Sequence, residues 1–441
     1  MEPVEQAAYR REMKPGAERG YAWQFAAAGV ALFALAARIH NAFAYPPLLD
    51  FDGPGHAENV LALHRGELPD VLAWGGFHPP LYHALGALLW TLLPTSIPVH
   101  VTLRLISGAF GAGAALLAWR GLRRFVSSAD AAVAATLALA VPVATIAGSM
   151  IGNETTCAFF ITAALLNLVS IPPDPRALAR HAVVTAIPLS LAALTKSTAL
   201  VAIAASGLLY ATRIRVDARR AAIAAALVVG IPTAAFAPHA VRVLRAGGGS
   251  MLSVVSGAAL AQDLREEMAA QPPGVRRLSD YAFVPASTWT EPVYSAPGLV
   301  RSVPGLLWAS TWADGHAQFL PASQPRVVSA AALTSVAGTI PATLALLGLV
   351  RVLRDRRAFV AAAGPLLFLA LLFVSLLRYT WVIPSFSAVK ASYLLSALFP
   401  ATLLLALGMG GLTPRWRALA RAAVLAASLG MTLVFWYGWW S

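Results

Sequence analysis

The sequence has little charge and almost no cysteine. Only 12% of its 441 residues are charged, with 20 carboxylates against 33 lysines and arginines, whereas 58% are hydrophobic. A soluble protein of this length could not bury so much apolar surface, so most of that surface must face lipid or other helices. The single cysteine, Cys157, excludes a disulfide framework, and its place inside an apolar run argues against a catalytic thiol.

The net charge of +13 is carried by short basic clusters between the apolar stretches. In a soluble protein such a charge would suggest nucleic-acid binding. This spacing, however, is the pattern of cytoplasmic loops between membrane-spanning helices, so we expect no nucleic-acid partner. The clusters are Arg120/Arg123/Arg124, Arg176/Arg180, Arg213/Arg215/Arg219/Arg220, Arg351/Arg354/Arg356/Arg357 and Arg415/Arg417/Arg421.

Repeated apolar stretches predict an all-α polytopic membrane protein with about eleven transmembrane helices. The predicted spans are 22–40, 99–119, 131–149, 155–171, 182–195, 197–212, 220–238, 328–350, 358–378, 391–411 and 418–437. If the N-terminus is cytoplasmic, all of the basic clusters fall on the cytoplasmic side.

Residues 81–94 are apolar but too short to cross a bilayer core of about 30 Å as a helix. Making them a span would invert every later loop and would place the basic clusters outside. We therefore predict a re-entrant or juxtamembrane helix on the outer face. Pro79-Pro80 can begin it, because proline is tolerated in a first helical turn.

The same assignment divides the chain into four parts. They are a cytoplasmic tail at 1–21, an N-terminal transmembrane module at 22–238 with its first outer loop at 41–98, an extracytoplasmic loop or small subdomain at 239–327 with a polar helix near 256–270, and a C-terminal transmembrane module at 328–441. The outer loops hold the polar residues of mixed type, so the active surface is predicted on the outer side.

Two of the scarce carboxylates, Asp50 and Asp52, lie in the first outer loop and are followed by Gly53-Pro54-Gly55-His56. A Gly-Pro-Gly turn would fix the Asp52 side chain in space. A carboxylate held in this way can serve as a general base toward a hydroxyl nucleophile. The alternative is a polar turn that caps a helix at 56–64.

Short motifs follow in the later outer loops. They are His78-Pro-Pro-Leu-Tyr82, Asn153-Glu154, Leu194-Thr195-Lys196, Ser310-Thr311-Trp312 and Lys390-Ala-Ser-Tyr393. Their order over residues 20–410 resembles that of the GT-C superfamily of polytopic membrane glycosyltransferases, which includes the lipid-A aminoarabinose transferases, the protein O-mannosyltransferases and related bacterial family-39-like enzymes. Each motif is short, so the order and the common side carry the resemblance.

The resemblance implies a GT-C-like fold and an inverting enzyme that moves one sugar from a polyprenyl-phosphate donor to a hydroxyl of a lipid, glycan or protein acceptor. The site would lie on the extracytoplasmic face of the bacterial inner membrane. Asp52 would be the base, with Asp50 as second choice, and Glu154 would orient the base or the acceptor. The residues expected to bind substrate or lipid phosphate are His56, His78, Tyr82, Lys196, Arg301, Arg378, Lys390 and Tyr393.

Several of these residues have a structural alternative. Glu154 could simply favour the dipole of a helix capped by Asn153. Lys196 could extend to the membrane interface rather than bind phosphate. His56 and His78 could hydrogen-bond the loop instead of the substrate.

The sequence also departs from the family pattern. Gly53 follows Asp52 where the family often has Glu, Glu154 stands where Asp is usual, and Ser392 precedes Tyr393 where Arg is usual. These departures leave open which donor is used and which cation meets the phosphate.

Asp50 and Asp52 also form an Asp-x-Asp pattern, which binds metal in other glycosyltransferases. The aminoarabinose and O-mannosyl branches resemble metal-free enzymes, so we expect no cofactor. A divalent ion at this pair is the second interpretation.

Two other functions stay open. A lipid or glycan transporter or flippase would be expected to show internal repeats and helices broken at the membrane midplane, and the sequence predicts neither. A ligase for a diphosphate-linked glycan would share the architecture, and the arginine-containing loop 239–327 would suit it. Asp314 and His316 in that loop are expected to be surface residues.

Overall fold

The computed structural model describes residues 21–47, 49–94, 96–215, 217–246, 270–321 and 323–438. Their regular secondary structure is entirely helical, as the sequence predicts. The tail predicted at 1–21 and the polar helix predicted near 256–270 lie outside the described residues, except for their final positions.

The helices follow one another along the chain without an intervening sheet in the described part. In order they are α1 (Tyr21–Ala44), α2 (Gly53–His64), α3 (Leu81–Leu92), α4 (Val99–Leu122), α5 (Ser128–Ala140), α6 (Pro142–Ser149), α7 (Glu154–Leu168), α8 (Pro175–Ala193), α9 (Ala199–Ala211), α10 (Ala218–Ala246), α11 (Ser287–Thr290), α12 (Val303–Trp312), α13 (Pro325–Ala337), α14 (Thr339–Arg354), α15 (Arg356–Val382), α16 (Leu398–Gly410) and α17 (Pro414–Val434). Short 3₁₀ helices occupy Thr212–Arg215, Leu278–Tyr281, Phe386–Ala388 and Ala391–Ala397.

Seven helical stretches of the described chain are long and apolar enough to cross a membrane, which makes this a multi-pass membrane protein. They are Tyr21–Ala44, Val99–Leu122, Ala218–Ala246, Pro325–Arg354, Arg356–Val382, Phe386–Gly410 and Pro414–Val434. Every apolar stretch predicted from the sequence forms helix, including the short α3. The count of about eleven crossings stays a prediction, because the spans predicted at 155–171 and 197–212 form the short apolar helices α7 and α9, and α8 is not among the seven stretches.

The span predicted at 131–149 is one helix in the sequence but two in the structure. Helices α5 and α6 meet at an angle of 55°, because Pro142 lacks the N–H that would continue the helix and Val141 before it takes an extended ψ of 132°. The prediction of one continuous helix at 131–149 was therefore wrong. The buried Arg38 of α1 donates to the Leu139 carbonyl at the break over 2.6 Å, which fixes the bend.

A buried ion pair connects two helices that are far apart in the sequence, α5 and α17. Arg421 of α17 donates to Asp130 of α5 over 2.8 Å, and both side chains are almost completely buried. Ser127 begins α5 and accepts from the Asp130 N–H as a helix cap. The first and last transmembrane modules therefore pack into one body.

Candidate active site

Asp50 is buried inside the protein in an ion pair with an arginine. Its carboxylate pairs with Arg104 of α4 over 3.0 Å, and neither side chain is exposed at all. The second oxygen accepts from the Ile151 N–H at 3.3 Å. Arg104 also donates to the carbonyls of Tyr45 and Pro46. This network anchors the loop between α1 and α2. Both carboxylate oxygens of Asp50 are hydrogen-bonded within it and do not face a substrate site.

Asp52 lies two residues further on, half-buried at the first turn of α2. It occupies the N-cap position, but its side chain makes no capping bond. Instead it accepts from the Trp74 indole N–H at 3.2 Å. The structure thus places Asp52 at the start of a helix, as the capping alternative expected, while its carboxylate is directed elsewhere.

The Gly-Pro-Gly sequence forms the first turn of α2 rather than a turn before it. A Cβ on Gly53 would lie 2.3 Å from the Cβ of Asp50, and one on Gly55 would lie 2.4 Å from the Trp74 carbonyl. Neither contact is possible for a larger residue without movement of the backbone. The two glycines are therefore what lets the loop of Asp50 and the loop of Trp74 close around Asp52.

The two carboxylates differ in their affinity for a proton. Burial raises the pKa of Asp50 to about 6, although Arg104 acts against this. Burial would also raise the pKa of Asp52, but Lys390, His56 and Lys196 outweigh it and lower that pKa. By proton affinity alone Asp50 would be the better base, but geometry comes first, and only Asp52 reaches open space.

Glu154 and Lys196 form the second charged group of the site. Their ion pair has an N–O distance of 2.7 Å, and Lys196 also donates to the Asn153 side chain at 3.2 Å. Asn153 makes no capping bond to α7, and its amide donates to the Thr195 carbonyl at 3.0 Å. Lys196 thus does not extend to a membrane interface; it holds the 150–154 and 195–197 loops together.

Lys390 also faces the space into which Asp52 opens. Its ammonium lies 4.2 Å from the centre of the Phe51 ring, a cation–π contact. No carboxylate within the described residues forms an ion pair with it. Three residues on, the Tyr393 ring lies 5.3 Å from the Lys196 ammonium. Lys390 is therefore a cation available to an anionic ligand.

A group of histidines lies behind Asp52. His56 Nδ1 is 2.8 Å from His83 Nε2, so one ring donates to the other, and the His56 ring stacks on His78 at 5.0 Å. Burial lowers the pKa of His56 and lowers that of His78 well below its usual value. Tyr82 is completely buried and accepts from the Gly152 N–H at 3.2 Å. Among these residues His56 lines the open space, and the rings of His78 and Tyr82 pack against the His56 ring.

Asp314 and His316 are not surface residues, contrary to the sequence-based expectation. Each is only 5% exposed. Asp314 accepts from the N–H groups of Phe319 and Leu320 at 2.6 and 2.7 Å, and His316 Nε2 bonds to the Val389 carbonyl at 3.0 Å. A sequence signal was present: Asp314-Gly-His316 has the same residue types as the first-loop motif.

Several of these residues line one cleft. Its polar lining consists of Asp52, His56, Glu154, Ser310, Asp314, His316, Lys390 and Ser392. Its apolar lining includes Phe51, Val143, Ile146, Ala147, Met150 and Ile151, of which three come from the bent helix α6. Four loops that are separate in the sequence, together with helix α6, therefore meet at one place.

Six of the eight residues predicted to bind substrate or lipid phosphate do not line this cleft: His78, Tyr82, Lys196, Arg301, Arg378 and Tyr393. Arg301 pairs with Asp280 over 3.2 Å and donates to the Val275 carbonyl. Arg378 is exposed on α15. The structure brings Lys196, Lys390 and Tyr393 together and leaves these two arginines elsewhere.

Both carboxylates of the Asp50–Asp52 pair already accept hydrogen bonds from the protein. The Asp50 oxygens accept from the Arg104 guanidinium and the Ile151 N–H, and Asp52 accepts from an indole N–H. Among the described residues no group of three or more metal-ligating side chains comes together. The chemistry that follows is therefore derived from the side chains alone.

No protein-family profile matches the sequence, and no curated protein matches it. Solved structures do match. The oligosaccharyltransferase AglB of Archaeoglobus fulgidus, complexed with Zn and sulfate, aligns with a TM-score of 0.55 at 15% identity, over 93% of this chain and 52% of that chain. AglB complexed with an inhibitory peptide and a dolichol-phosphate aligns with a TM-score of 0.50 at 14% identity, over 94% and 55%.

ArnT from Cupriavidus metallidurans bound to undecaprenyl phosphate aligns with a TM-score of 0.40 at 16% identity, over 88% of this chain and 76% of that chain. The chain spans about half the length of AglB. At these identities the likeness to AglB establishes the fold. The resemblance to the GT-C superfamily is thereby confirmed as a similarity of architecture: an all-α, multi-pass membrane protein.

Proposed function

We propose that this protein is a membrane glycosyltransferase that moves a sugar from a polyprenyl-phosphate donor to a hydroxyl of its acceptor. The observation that carries the proposal is the asymmetry of the two aspartates. Asp50 is buried in an ion pair with Arg104, whereas Asp52 opens into a cleft that also contains Lys390, a lysine without an ion pair among the described residues. A carboxylate base facing a cation is the arrangement that an acceptor hydroxyl and an anionic leaving group require.

The phosphate of the donor would bind Lys390, because Lys196 is already engaged by Glu154 at 2.7 Å. Charge-assisted hydrogen bonds between an ammonium and a phosphate are among the stronger polar contacts. The apolar residues of α6 and Phe51 would contact the first part of the lipid chain. The dolichol-phosphate bound to AglB, which has a similar fold, supports a lipid phosphate as the ligand.

In the reaction the acceptor oxygen attacks the anomeric carbon, and its proton passes to the Asp52 carboxylate. The bond between the anomeric carbon and the phosphate oxygen breaks, and the phosphate leaves with the electron pair, stabilised by Lys390. A single displacement of this kind inverts the configuration of the sugar. The Glu154–Lys196 pair would keep the loops of α7 and α9 at a fixed distance from Asp52.

The positive-inside pattern supports placing this cleft on the extracytoplasmic face of the bacterial inner membrane, with a cytoplasmic N-terminus. We assign no metal to the reaction. The acceptor class, whether lipid, glycan or protein, is left to experiment.

A transfer assay tests the proposal. Purified protein in nanodiscs is supplied with radiolabelled polyprenyl-phosphate sugars, or with polyprenyl-diphosphate sugars in a parallel arm, and with membrane extract as acceptor. We expect transfer from a monophosphate donor, unchanged by EDTA, and a loss of about 10²- to 10⁴-fold in Asp52→Asn, the usual contribution of a general base. The matched control is Glu58→Gln, which removes an exposed carboxylate of the same helix α2.

Full activity in folded Asp52→Asn would overturn the assignment of the base. Transfer only from the diphosphate donor would favour the glycan-ligase alternative. A folded wild-type protein that transfers from neither donor would refute the enzyme proposal and favour transport, for which the broken helix α5–α6 is then the relevant feature.

A further inference from the structure

The loop of Asp314 and His316 is built rigidly around the cleft. Asp314 accepts two backbone N–H bonds from its own loop, and the Gly315 carbonyl accepts from the Tyr294 N–H at 2.8 Å. A Cβ on Gly315 would lie 2.8 Å from the Ser310 nitrogen, so the loop packs directly against α12. Ala317 takes a φ of 52°, which a non-glycine residue adopts only where its surroundings enforce it.

This loop fixes the His316 ring in one orientation. The ring is edge-on to Phe51 at 5.8 Å and stacked on Phe386 at 5.9 Å. Its Nε2 lies 3.0 Å from the Val389 carbonyl. A carbonyl oxygen can only accept, so the ring proton must be on Nε2. Nδ1 is consequently an unprotonated nitrogen, and no described residue bonds to it.

The His316 ring also stays neutral. Burial lowers its pKa to about 3, and the nearby Lys390 acts in the same direction. Over the whole physiological range Nδ1 is therefore a hydrogen-bond acceptor and never a donor. The cleft that His316 lines also contains the charged side chains Asp52, Glu154 and Lys390.

We propose that His316 Nδ1 accepts a hydrogen bond from one hydroxyl of the transferred sugar and so helps to determine which donor is used. A neutral acceptor suits a hydroxyl, which can donate without carrying charge. The neighbouring ammonium of Lys390, over the Phe51 ring that His316 also contacts, disfavours a second cation there. The sugar is therefore expected to present a hydroxyl at this position, not a protonated amine. This inference rests on the proposed function.

Two substitutions separate the two nitrogens of the ring. His316→Gln places an amide near Nε2 and can keep the bond to the Val389 carbonyl, but leaves no acceptor at Nδ1. His316→Asn places its amide near Nδ1 and loses the bond to Val389. The first variant should lose sugar recognition with little loss of stability, and the second should lose stability but retain recognition.

The experiment uses the full-length protein in nanodiscs and decaprenyl-phosphate-linked mannose, glucose, galactose, arabinose and 4-amino-4-deoxyarabinose as probes. For the sugar that wild type transfers, kcat/KM is then measured with each of its monodeoxy forms. We expect wild type to be impaired by roughly three- to ten-fold at one deoxy position, the usual effect of one neutral hydrogen bond. His316→Gln should be impaired similarly on the parent sugar and should no longer distinguish it from that deoxy form, whereas His316→Asn should still distinguish them.

If wild type transfers a sugar and His316→Gln shows the same kcat/KM and the same deoxy profile, this inference is wrong while the proposed function stands. The same conclusion follows if the amino sugar is the preferred donor and His316→Gln leaves that preference intact. If folded wild type transfers none of the probes, the proposed function fails and this inference fails with it.

Discussion

The ion pair between Asp50 and Arg104 gives the sharpest test of how the site is built. Both side chains are completely buried at an N–O distance of 3.0 Å. Removing one partner leaves the other charge buried and unpaired, which typically costs about 3–5 kcal/mol of stability. We expect Asp50→Leu to lower the free energy of unfolding by about this amount, whereas Asp52→Asn should leave it nearly unchanged, because Asn can still accept from the Trp74 N–H.

The double variant Asp50→Leu/Arg104→Met removes both charges. Replacing a whole buried pair by apolar side chains is often neutral or stabilising. Recovery should be incomplete here, since Arg104 also donates to the carbonyls of Tyr45 and Pro46, which then lose a partner. The single losses should still sum to more than the double loss by about 1–3 kcal/mol, the coupling expected of residues in direct contact.

The assay is unfolding in one fixed detergent, followed by circular dichroism, beside the transfer assay on the same preparations. Asp50→Leu should lose stability, and its activity should fall in proportion to the folded fraction. Asp52→Asn should lose activity alone. Additive effects of Asp50→Leu and Arg104→Met, or a stable Asp50→Asn that cannot transfer sugar, would refute the separation of an anchoring aspartate from a catalytic one.

Three further outcomes are expected. Trp74→Phe removes a hydrogen bond from the indole N–H that lowers the pKa of Asp52. The kcat/KM for transfer falls at acid pH as this carboxylate becomes protonated, so in the variant the fall should begin at higher pH. An unchanged pH profile would contradict this. Lys390→Met should raise the KM for the donor at least about ten-fold, because a charge-assisted bond to phosphate is lost; an unchanged KM would exclude the phosphate role. Gly55→Ala should cost about 1–3 kcal/mol in unfolding experiments, whereas Gly29→Ala, with nothing within 4 Å of its Cβ, should not.

The sequence was sufficient for the architecture because membrane helices leave a local signal. A run of about 20 apolar residues must satisfy its backbone within its own segment, so helix follows from composition. Each predicted apolar stretch forms helix in the structure, and even the short α3 begins after Pro79-Pro80 as predicted. The break between α5 and α6 was missed although Pro142 stands in the sequence, since proline inside an apolar run is also tolerated in unbroken membrane helices. Helix α15, with Pro365, is an example.

The site was predictable only in part. Asp52, Glu154, Lys196 and Lys390 could be selected from the sequence because charge is rare in this chain and each stands at the end of an apolar run. Proximity of the two aspartates, however, said nothing about their roles. Asp50 and Asp52 are two residues apart. Asp50 anchors its loop because it pairs with Arg104 of α4, whereas Asp52 has no such partner and opens into the cleft.

What the sequence by itself determined was the set of helices and the scarcity of polar residues that could do chemistry, since both follow from local composition. Tertiary structure decided which of those polar residues meet. Asp314 and His316 looked like loop surface, yet the packing of α12 against the 385–390 segment buries them beside Lys390. Arg301, equally promising as a phosphate ligand, is bound to Asp280 instead. Such pairings depend on contacts between residues far apart in the chain, and no local pattern records them.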